Sequence, residues 1–500
     1  MPINYIFDQT SLNMKTSLLV RFVSLSILFT TFSCGPTDPP PPEPQFPLTN
    51  QFNYQVYWEW NELFKKLDRV ATGYRPCPAT RALAYLGLSA YESVVPGMPF
   101  HQSLAPLFTG LDLPQADPDV EYFWPACVSE SYYYMLERLF PHLQNSPNPA
   151  AAAAFAQIAI LRSSLRSEFS EGMLKLTVLE RSEEFGRNIA TAVFNWSKTD
   201  LVGHNVFLDP QPSGYVPPYG PGLWKPTPPN YNSALFPTYG QLRTFAMNQA
   251  DLISPPPIPF SELSSSPFYA QTLEVFFTVN NINNPDPNQQ DWAYNQLWIS
   301  EFWSDDNLYS TFSAGTRWIS IADQMVANEE LNLAICAELY AKLGLTLHDL
   351  TVATWKSKYI YNVERPISYI RRVLPSDYFT AAKWKTLLNN PVTGLMGLSP
   401  AYPAYPSAHA GYGGGGAKIL SSFLENTPGY TGNYNFTDLS HQYEMTFLGT
   451  PRTFSSITQM GEECAYSRIP LGVNYRMDCE AGLELGRLAA QRVLELPWKK

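Results

Sequence analysis

Helical periodicity is the feature that most restricts how this chain can fold. From Asn50 to Asp200 apolar residues recur at three- and four-residue spacing, as in YWEWNELFKKLDRVA and NPAAAAAFAQIAILRSSLRSEF. The same spacing returns after residue 267 and continues to the C-terminus, and no strand-rich stretch competes with it. An apolar stripe with this period is buried by packing against other helices. The sequence therefore predicts an all-α fold.

A long proline- and tyrosine-rich segment, residues 201–267, interrupts the pattern. It contains GPGLWKPTPPNYNSALFPTYGQLRTF, which has too many prolines for a helix interior. Loops of this length are usually functional or serve as linkers. With 500 residues the chain also exceeds the usual size of one domain. We therefore predict two helical bundles, residues 50–200 and 268–500, joined by a segment that is either a connection between bundles or a surface lid.

The second half is expected to carry the chemistry, and its apolar pattern predicts nine helices. Their approximate bounds are Ser266 to Val279, Asp291 to Trp303, Thr311 to Leu343, Leu345 to Glu364, Tyr378 to Leu388, Ala408 to Leu424, Asp438 to Phe447, Ile457 to Arg468 and Met477 to Leu496.

The first 34 residues have the pattern of an export signal. Met14 is the expected start, a short apolar stretch follows, and Cys34 stands after small residues at the expected cleavage point. The pattern resembles a bacterial lipoprotein signal with Cys34 as the acylated residue; the alternative is an ordinary secretion signal with an incidental cysteine. Residues 35–49 are proline-rich and predict an extended tether. We expect an exported protein, lipid-anchored to a membrane of the bacterial cell envelope.

Charge and cysteine content exclude several function classes. The formal net charge is -11, and no basic stripe is present that could neutralise the phosphates of a nucleic acid. Any anion site must therefore depend on a few local cations. The five cysteines after Cys34 are widely spaced with no C-x-x-C, which argues against zinc and haem and leaves disulfide pairing open.

Three segments of the second half carry more polar chemistry than a helical core needs, and the first is WKSKYIYNVERPISYI. Lys358 and Arg365 are seven residues apart, which is two helical turns and predicts that both lie on one helix face. Pro366 predicts that the helix ends at Arg365. A solvated basic stripe is the alternative interpretation.

The second segment is YPAYPSAHAGYGGGGAKIL. Ser407 is placed to cap a helix whose first turn contains His409, and a free helix N-terminus favours an oxyanion. Four consecutive glycines, Gly413–Gly416, indicate either close packing against another helix or a flexible loop.

The third segment is SRIPLGVNYRMDCE. Arg468 precedes Pro470, and Asp478 falls in the first turn of a terminal helix, where a carboxylate suits the helix dipole. Asn474 would make a good helix cap, and it also lies among the polar residues of a candidate site.

Together, K-x6-R-P, P-S-x-H and S-R-x5-N-x3-D resemble the three-part motif of the vanadium-dependent haloperoxidases and their relatives, the type 2 phosphatidic acid phosphatases. The surrounding WKSKYIYNVERPISYIR and PGLWKPTPPNY resemble the bacterial haloperoxidase branch. The resemblance covers most of the chain after the tether. It implies two helical bundles with an oxyanion pocket in the second.

The resemblance also implies roles for the motif residues. Lys358, Arg365 and Arg468 would supply cations to a bound vanadate or phosphate, and Ser407 would hydrogen-bond one of its oxygens. His409 would be the acid–base group. The glycine of the family motif is Ala408 in this chain, whose backbone N–H could still point inward.

The departure with the largest consequence is at Asn474, because the resemblance places there the apical histidine that binds vanadium or attacks phosphorus. An amide nitrogen has no available lone pair and is not a nucleophile. Asp478, which matches the acid that supports the histidine ring, is then expected to lack its partner. Vanadate held in the cationic cage, with the Asn474 oxygen or a water beneath it, would be bound more weakly. His348 is a further histidine that could substitute.

Three functions follow from the resemblance. The first is a vanadate-dependent haloperoxidase that uses hydrogen peroxide and halide, with Lys358 polarising the peroxide. The second is hydrolysis of a small phosphate ester, which the missing nucleophile disfavours. The third is a non-catalytic cell-envelope protein that binds phosphate, another oxyanion or a partner. The oligomeric state is not readable from the sequence.

Overall fold

Nearly all of the regular structure is helical, so the all-α prediction is confirmed. The computed structural model describes residues 45–171, 175–375, 378, 380–425 and 434–500. The expected signal peptide with Cys34, and all but the last residues of the expected tether, lie outside these ranges.

The first part of the chain contains seven α-helices in the described residues. They are α1 (Gln55–Val70), α2 (Pro78–Glu92), α3 (Trp124–Leu139), α4 (Pro141–Gln144), α5 (Pro149–Glu171), α6 (Leu176–Ser197) and α7 (Leu201–His204). Helix α3 packs on α6, α5 and α2, and α1 packs on α5 and α3, which makes the first bundle.

The second part contains eight more α-helices in the described residues. They are α8 (Pro267–Asn283), α9 (Gln290–Phe302), α10 (Ala314–Asn328), α11 (Leu333–Tyr361), α12 (Pro366–Val373), α13 (Ala408–Glu425), α14 (Ile457–Tyr466) and α15 (Arg476–Leu494). Helix α13 packs on α15, α14, α11 and α10 and is therefore central to the second bundle. Two short strands, β1 (Phe436–Asp438) and β2 (Arg452–Phe454), pair antiparallel. Short 3-10 helices lie at Thr49–Gln51, Val95–Gly97, Ala105–Leu107, Val206–Leu208, Tyr239–Gln241, Pro287–Gln289 and Ala381–Lys383.

Helix α11 joins the two bundles because it packs closely on α2 as well as on α13 and α15. A Cβ atom added to Gly344 would lie 2.5 Å from the carbonyl oxygen of Leu83, so only glycine allows this approach. The predicted helix break between Leu343 and Leu345 is therefore wrong. Gly344 is a contact point inside one long helix, and the chain breaks instead at Glu330, whose φ of 47° ends α10.

Two further predicted helices are absent from the described residues. The described residues of the stretch Tyr378 to Leu388 form only a 3-10 turn, because the extended backbone at Trp384 ends it. The stretch Asp438 to Phe447 is also not helical. The Asp438 carboxylate accepts from the Ser440 N–H and from a buried arginine of α10, and these contacts hold the residue at the end of β1.

The glycine run Gly413–Gly416 lies inside α13 and is closely packed, which decides against a flexible loop. A Cβ on Gly414 would lie 2.2 Å from the oxygen of Leu483, and one on Gly486 would lie 2.0 Å from the oxygen of Gly411. Helices α13 and α15 therefore cross with their backbones in contact. This crossing fixes the starts of both helices relative to each other.

The connecting segment docks on α11, which favours the interpretation as a packed connection. The carboxylate of Asp349 on α11 accepts hydrogen bonds from the backbone N–H groups of Phe245, Ala246 and Met247. Burial raises the pKa of Asp349 to about 6, although these hydrogen bonds act to lower it. Trp224 and other large side chains of the segment are fully buried.

Two structural findings bear on the predicted membrane anchoring and on the open question of disulfide pairing. No helix among the described residues is long and apolar enough to cross a membrane. The cysteines in the described ranges, which are Cys77, Cys127, Cys336, Cys464 and Cys479, are buried free thiols.

Candidate functional site

Lys358 and Arg365 do not share a helix face, so that prediction is wrong. Helix α11 ends after Tyr361, because Asn362 takes a left-handed conformation with φ 47°. Arg365 is extended, with φ -75° and ψ 151°, as expected for a residue that precedes a proline. The two cations nevertheless converge on the ring of Tyr402, with Lys358 Nζ 5.1 Å and Arg365 Cζ 4.8 Å from its centroid.

The Lys358 ammonium is fully buried and donates to three backbone carbonyls. Its Nζ lies 2.9 Å from the oxygen of Pro403, 2.9 Å from that of Ala404 and 2.6 Å from that of Pro406. An ammonium group has three N–H donors, so all of them are used. Burial, and then the charge of Arg365, hold the pKa of Lys358 well below its ordinary value. Only the ammonium form has three N–H groups for these three carbonyls, so the geometry favours a charged Lys358 that fixes the segment before α13. No N–H of Lys358 is left to polarise a peroxide, contrary to the expectation from the sequence.

One nitrogen of the Arg365 guanidinium has no partner among the residues that the structure describes. Its Nε donates to the Tyr402 carbonyl oxygen at 2.8 Å, and its Nη1 donates to the Val473 carbonyl oxygen at 2.8 Å. Its Nη2 is enclosed and has no hydrogen-bond partner in the described part of the chain. The guanidinium is only 1% exposed, so this unused N–H group faces the protein interior.

Arg468 is held by an acid that the sequence analysis missed. Its Nη2 lies 3.2 and 2.9 Å from the two carboxylate oxygens of Asp306, in the loop between α9 and α10. Its Nε and Nη1 are enclosed and have no partner among the described residues. The adjacent acids Asp305 and Asp306, shortly after a helix, were the signal available in the sequence, but Arg468 lies 162 residues from Asp306.

His409 lies in the first turn of α13, next to the same acid. Its Nε2 is 3.8 Å from the Asp306 carboxylate and has no hydrogen-bond partner within the described ranges. Burial lowers the pKa of His409 to about 4, with Arg468 acting in the same direction and Asp306 against it. The imidazole is therefore neutral at pH 7.

Ser407 stands directly before α13, as the sequence predicts. Its Oγ accepts from the Ala410 N–H at 3.4 Å, and its own N–H donates to the Asp478 carbonyl oxygen at 2.8 Å. The first-turn N–H groups of Ala408 and His409 have no acceptor within the helix. The start of α13 thus presents backbone donors next to the two arginines.

Asn474 is not the helix cap, because Tyr475 is the N-cap residue of α15. The side-chain Nδ2 of Asn474 donates instead to the Asp478 carboxylate at 2.9 Å and to the Ala404 carbonyl oxygen at 2.9 Å. Asp478 therefore does have a partner at position 474, contrary to expectation. Burial raises the pKa of Asp478 to about 6, against the hydrogen bonds from Asn474 and Tyr475.

Two other side chains bear on the site. Tyr402 was missed by the sequence analysis, although its ring contacts both Lys358 and Arg365 and is itself 6% exposed.

His348 does not substitute at the site, because its Nε2 bonds the Arg243 carbonyl oxygen at 2.8 Å. The structure thus places His348 against the connecting segment.

A cleft of about 330 Å³ is lined by sequence neighbours of the site residues, but by none of the candidate site residues themselves. Ser304 and Asn307, on either side of the acid pair, line it, and so does Leu471, which lies between Arg468 and Asn474 in the sequence. Asn389, Asn390 and the exposed Met396 also line it.

Comparison with known proteins relates the chain to one group of enzymes. Residues 338–497 match the family of the VCPO second helical-bundle domain. Vanadium chloroperoxidase of Curvularia inaequalis is 24% identical over 512 residues, which covers 89% of this chain and 82% of that protein.

Solved structures show the same fold. The first bacterial vanadium-dependent iodoperoxidase superposes with a TM-score of 0.72 at 22% identity, covering 90% of this chain and 97% of that one. The holo form of a bacterial vanadium-dependent chloroperoxidase gives 0.56 at 14% identity, over 85% of this chain and 94% of that one.

Proposed function

We propose, since this chain belongs to the vanadium haloperoxidase superfamily, that its second bundle binds a tetrahedral oxyanion, vanadate or phosphate. The binding groups are Arg365, Arg468, Ser407 and the backbone N–H of Ala408 at the start of α13. Lys358 contributes positive charge, and His409 is the acid–base group.

The unpartnered guanidinium N–H groups carry this proposal. Nη2 of Arg365 and both Nε and Nη1 of Arg468 are enclosed without a hydrogen-bond partner among the described residues. A buried donor of a charged group that lacks an acceptor costs about 1–3 kcal/mol or more. Oxyanion oxygens would accept charge-assisted hydrogen bonds from all three nitrogens. The cationic cage that Arg365 and Arg468 form therefore fits a vanadate or phosphate group.

The apical position does not fit a bond from nitrogen to vanadium. Asn474 presents an amide whose nitrogen is already committed to two acceptors. An amide nitrogen also has no lone pair with which to attack phosphorus, so phosphate ester hydrolysis through this residue is not supported. The oxyanion is therefore held by hydrogen bonds and ion pairs alone.

Vanadate bound in the cage would supply a Lewis acid for reaction of hydrogen peroxide with halide. The residues of the chain would then serve this reaction by position and charge. His409 is neutral and could accept a proton at a ring nitrogen, while Lys358 holds the segment before α13 in place. Because the apical nitrogen is missing, we expect weak halide oxidation by the wild-type protein.

Isothermal titration with phosphate and with vanadate tests the binding proposal. Arg365→Met removes the unpartnered Nη2 and a positive charge, and we expect at least about a tenfold loss of affinity. Arg487→Met is the matched control, since Arg487 pairs with Glu462 and Glu484 at the surface and should bind like wild type. Absence of binding to the wild-type protein would contradict the proposal.

A bromide-dependent dye halogenation assay with vanadate and hydrogen peroxide tests the chemical part. We expect Asn474→His to raise the rate at least about tenfold over wild type, because it supplies the missing nitrogen. Equal halogenation rates in the wild-type protein and in Asn474→His would show that the apical nitrogen is not needed. Binding without turnover in both proteins would favour a non-catalytic oxyanion-binding protein.

Attachment to the bacterial cell envelope through a lipid on Cys34 is also part of the proposal, supported by the sequence pattern of residues 1–34. Metabolic labelling with an alkyne-tagged fatty acid should mark the wild-type protein and not Cys34→Ser. Labelling of both proteins would contradict it.

A further inference from the structure

We infer that Asn474 and Asp306 make this pocket selective for oxyanions that carry a proton, such as phosphate, arsenate and vanadate, over proton-free oxyanions such as sulfate. The inference rests on the proposed function and specifies the chemical class of its ligand.

The orientation of the Asn474 amide is fixed by its partners. Both groups that its Nδ2 contacts are acceptors only, namely the Asp478 carboxylate and the Ala404 carbonyl oxygen. The flipped amide would place its oxygen against these two oxygens, which is repulsive. The oxygen Oδ1 must therefore face away from them.

The Asn474 oxygen is available to a ligand. No donor among the described residues bonds Oδ1, and this atom is not among the fully enclosed ones, although the residue is only 3% exposed. The backbone at this point contacts both arginine residues of the site. The Asn474 N–H faces the Arg468 carbonyl oxygen at 3.4 Å, and the preceding Val473 carbonyl accepts from Arg365. Oδ1 is an acceptor and cannot donate a hydrogen bond.

Asp306 is a second acceptor on the same pocket. Its carboxylate binds Nη2 of Arg468 and lies 3.8 Å from His409 Nε2. A carboxylate offers about four lone-pair sites, and the ion pair with Arg468 uses two oxygens once each. Capacity to accept a further hydrogen bond therefore remains next to the unpartnered donors of Arg468.

These acceptors discriminate by protonation state. An oxyanion with two O–H groups, such as dihydrogen phosphate, can donate to both Asn474 and Asp306 while its other oxygens accept from the arginines; one with a single O–H group can donate to one of them. Near neutral pH phosphate and vanadate carry at least one proton, whereas sulfate carries none. A proton-free oxyanion leaves the acceptors unsatisfied and places its charged oxygens against theirs. Specificity then arises from repulsion as well as from attraction.

Isothermal titration of the full chain with phosphate and with sulfate, at matched ionic strength and neutral pH, tests the inference. We expect the wild-type protein to prefer phosphate by about 100-fold or more, which is two acceptor sites at about tenfold each. Asn474→Ala removes one acceptor and should reduce the preference about tenfold. Asn295→Ala, which alters an exposed asparagine on α9, is the control and should leave it unchanged.

A second variant keeps the test informative if Asn474→Ala fails to fold. Asp306→Asn has the same shape but can donate a hydrogen bond, so sulfate affinity should rise relative to phosphate. Equal affinity of the wild-type protein for the two anions would overturn the inference and leave the proposed function standing. Binding of neither anion would overturn both, and an unchanged preference in the variants would show that these residues do not set it.

Discussion

Replacing Lys358 by methionine tests whether this residue is a structural support of the site. Methionine has a similar length and no donor, so the carbonyls of Pro403, Ala404 and Pro406 lose their partner. A buried carbonyl without a donor costs about 1–3 kcal/mol, so three cost roughly 3–9 kcal/mol. Removal of a buried charge returns several kcal/mol. We expect the free energy of unfolding to fall by about 2–5 kcal/mol.

Urea unfolding followed by tryptophan fluorescence measures this change. The matched control is Lys356→Met, two residues earlier in α11. Lys356 is half-buried and its ammonium donates to Gln249 in an exposed hydrogen bond, so its replacement should change the free energy of unfolding by less than about 0.5 kcal/mol. If Lys358→Met were as stable as the control, the ammonium would not be holding these three carbonyls.

Three further predictions concern pH, packing and a buried ion pair. The pKa of His409 in the folded protein is about 4, below its ordinary value of 6.5. The unfolded chain therefore takes up a proton on His409 before the folded protein does. The stability that the neutral imidazole provides is complete above pH 6.5 and is lost as the pH falls to about 4. Unfolding measured across this range should show about 3 kcal/mol less acid destabilisation in His409→Gln than in wild type. Gly414→Ala should lower the unfolding free energy by about 1–3 kcal/mol, because the added Cβ meets a carbonyl of α15; Gly214→Ala, in open space, should not. Arg317→Met should cost about 3–5 kcal/mol in the same assay, since it leaves the fully buried Asp438 without its cation. Wild-type stability of the Arg317 variant would mean that the pair contributes nothing.

Helical periodicity was sufficient to predict the fold class, because it reports which residues are buried and needs no knowledge of partners. It failed where a tertiary contact overrode it. Asp438 ends a strand since it pairs with Arg317 from α10, and Gly344 continues a helix since it packs on α2. Neither contact is visible in local sequence.

The motif spacing named most of the residues that the structure brings together, while their roles stay predictions. The sequence could not reveal that the donors of Lys358 are used by carbonyls, or that Arg468 is paired with Asp306. For Asn474 the choice between a cap and a site could not be made from spacing. That choice depends on which groups the Asn474 amide contacts, and the crossing of α13 and α15 sets these contacts.

A crystal structure of the protein soaked in vanadate, and separately in phosphate, tests the central claim most directly. We predict an oxyanion within hydrogen-bonding distance of Arg365 Nη2 and of Arg468 Nε and Nη1, with the Asn474 oxygen beside it and no covalent bond to the protein. Soaked crystals in which the two arginines remain without an anion, or in which an oxyanion binds elsewhere, would contradict the account.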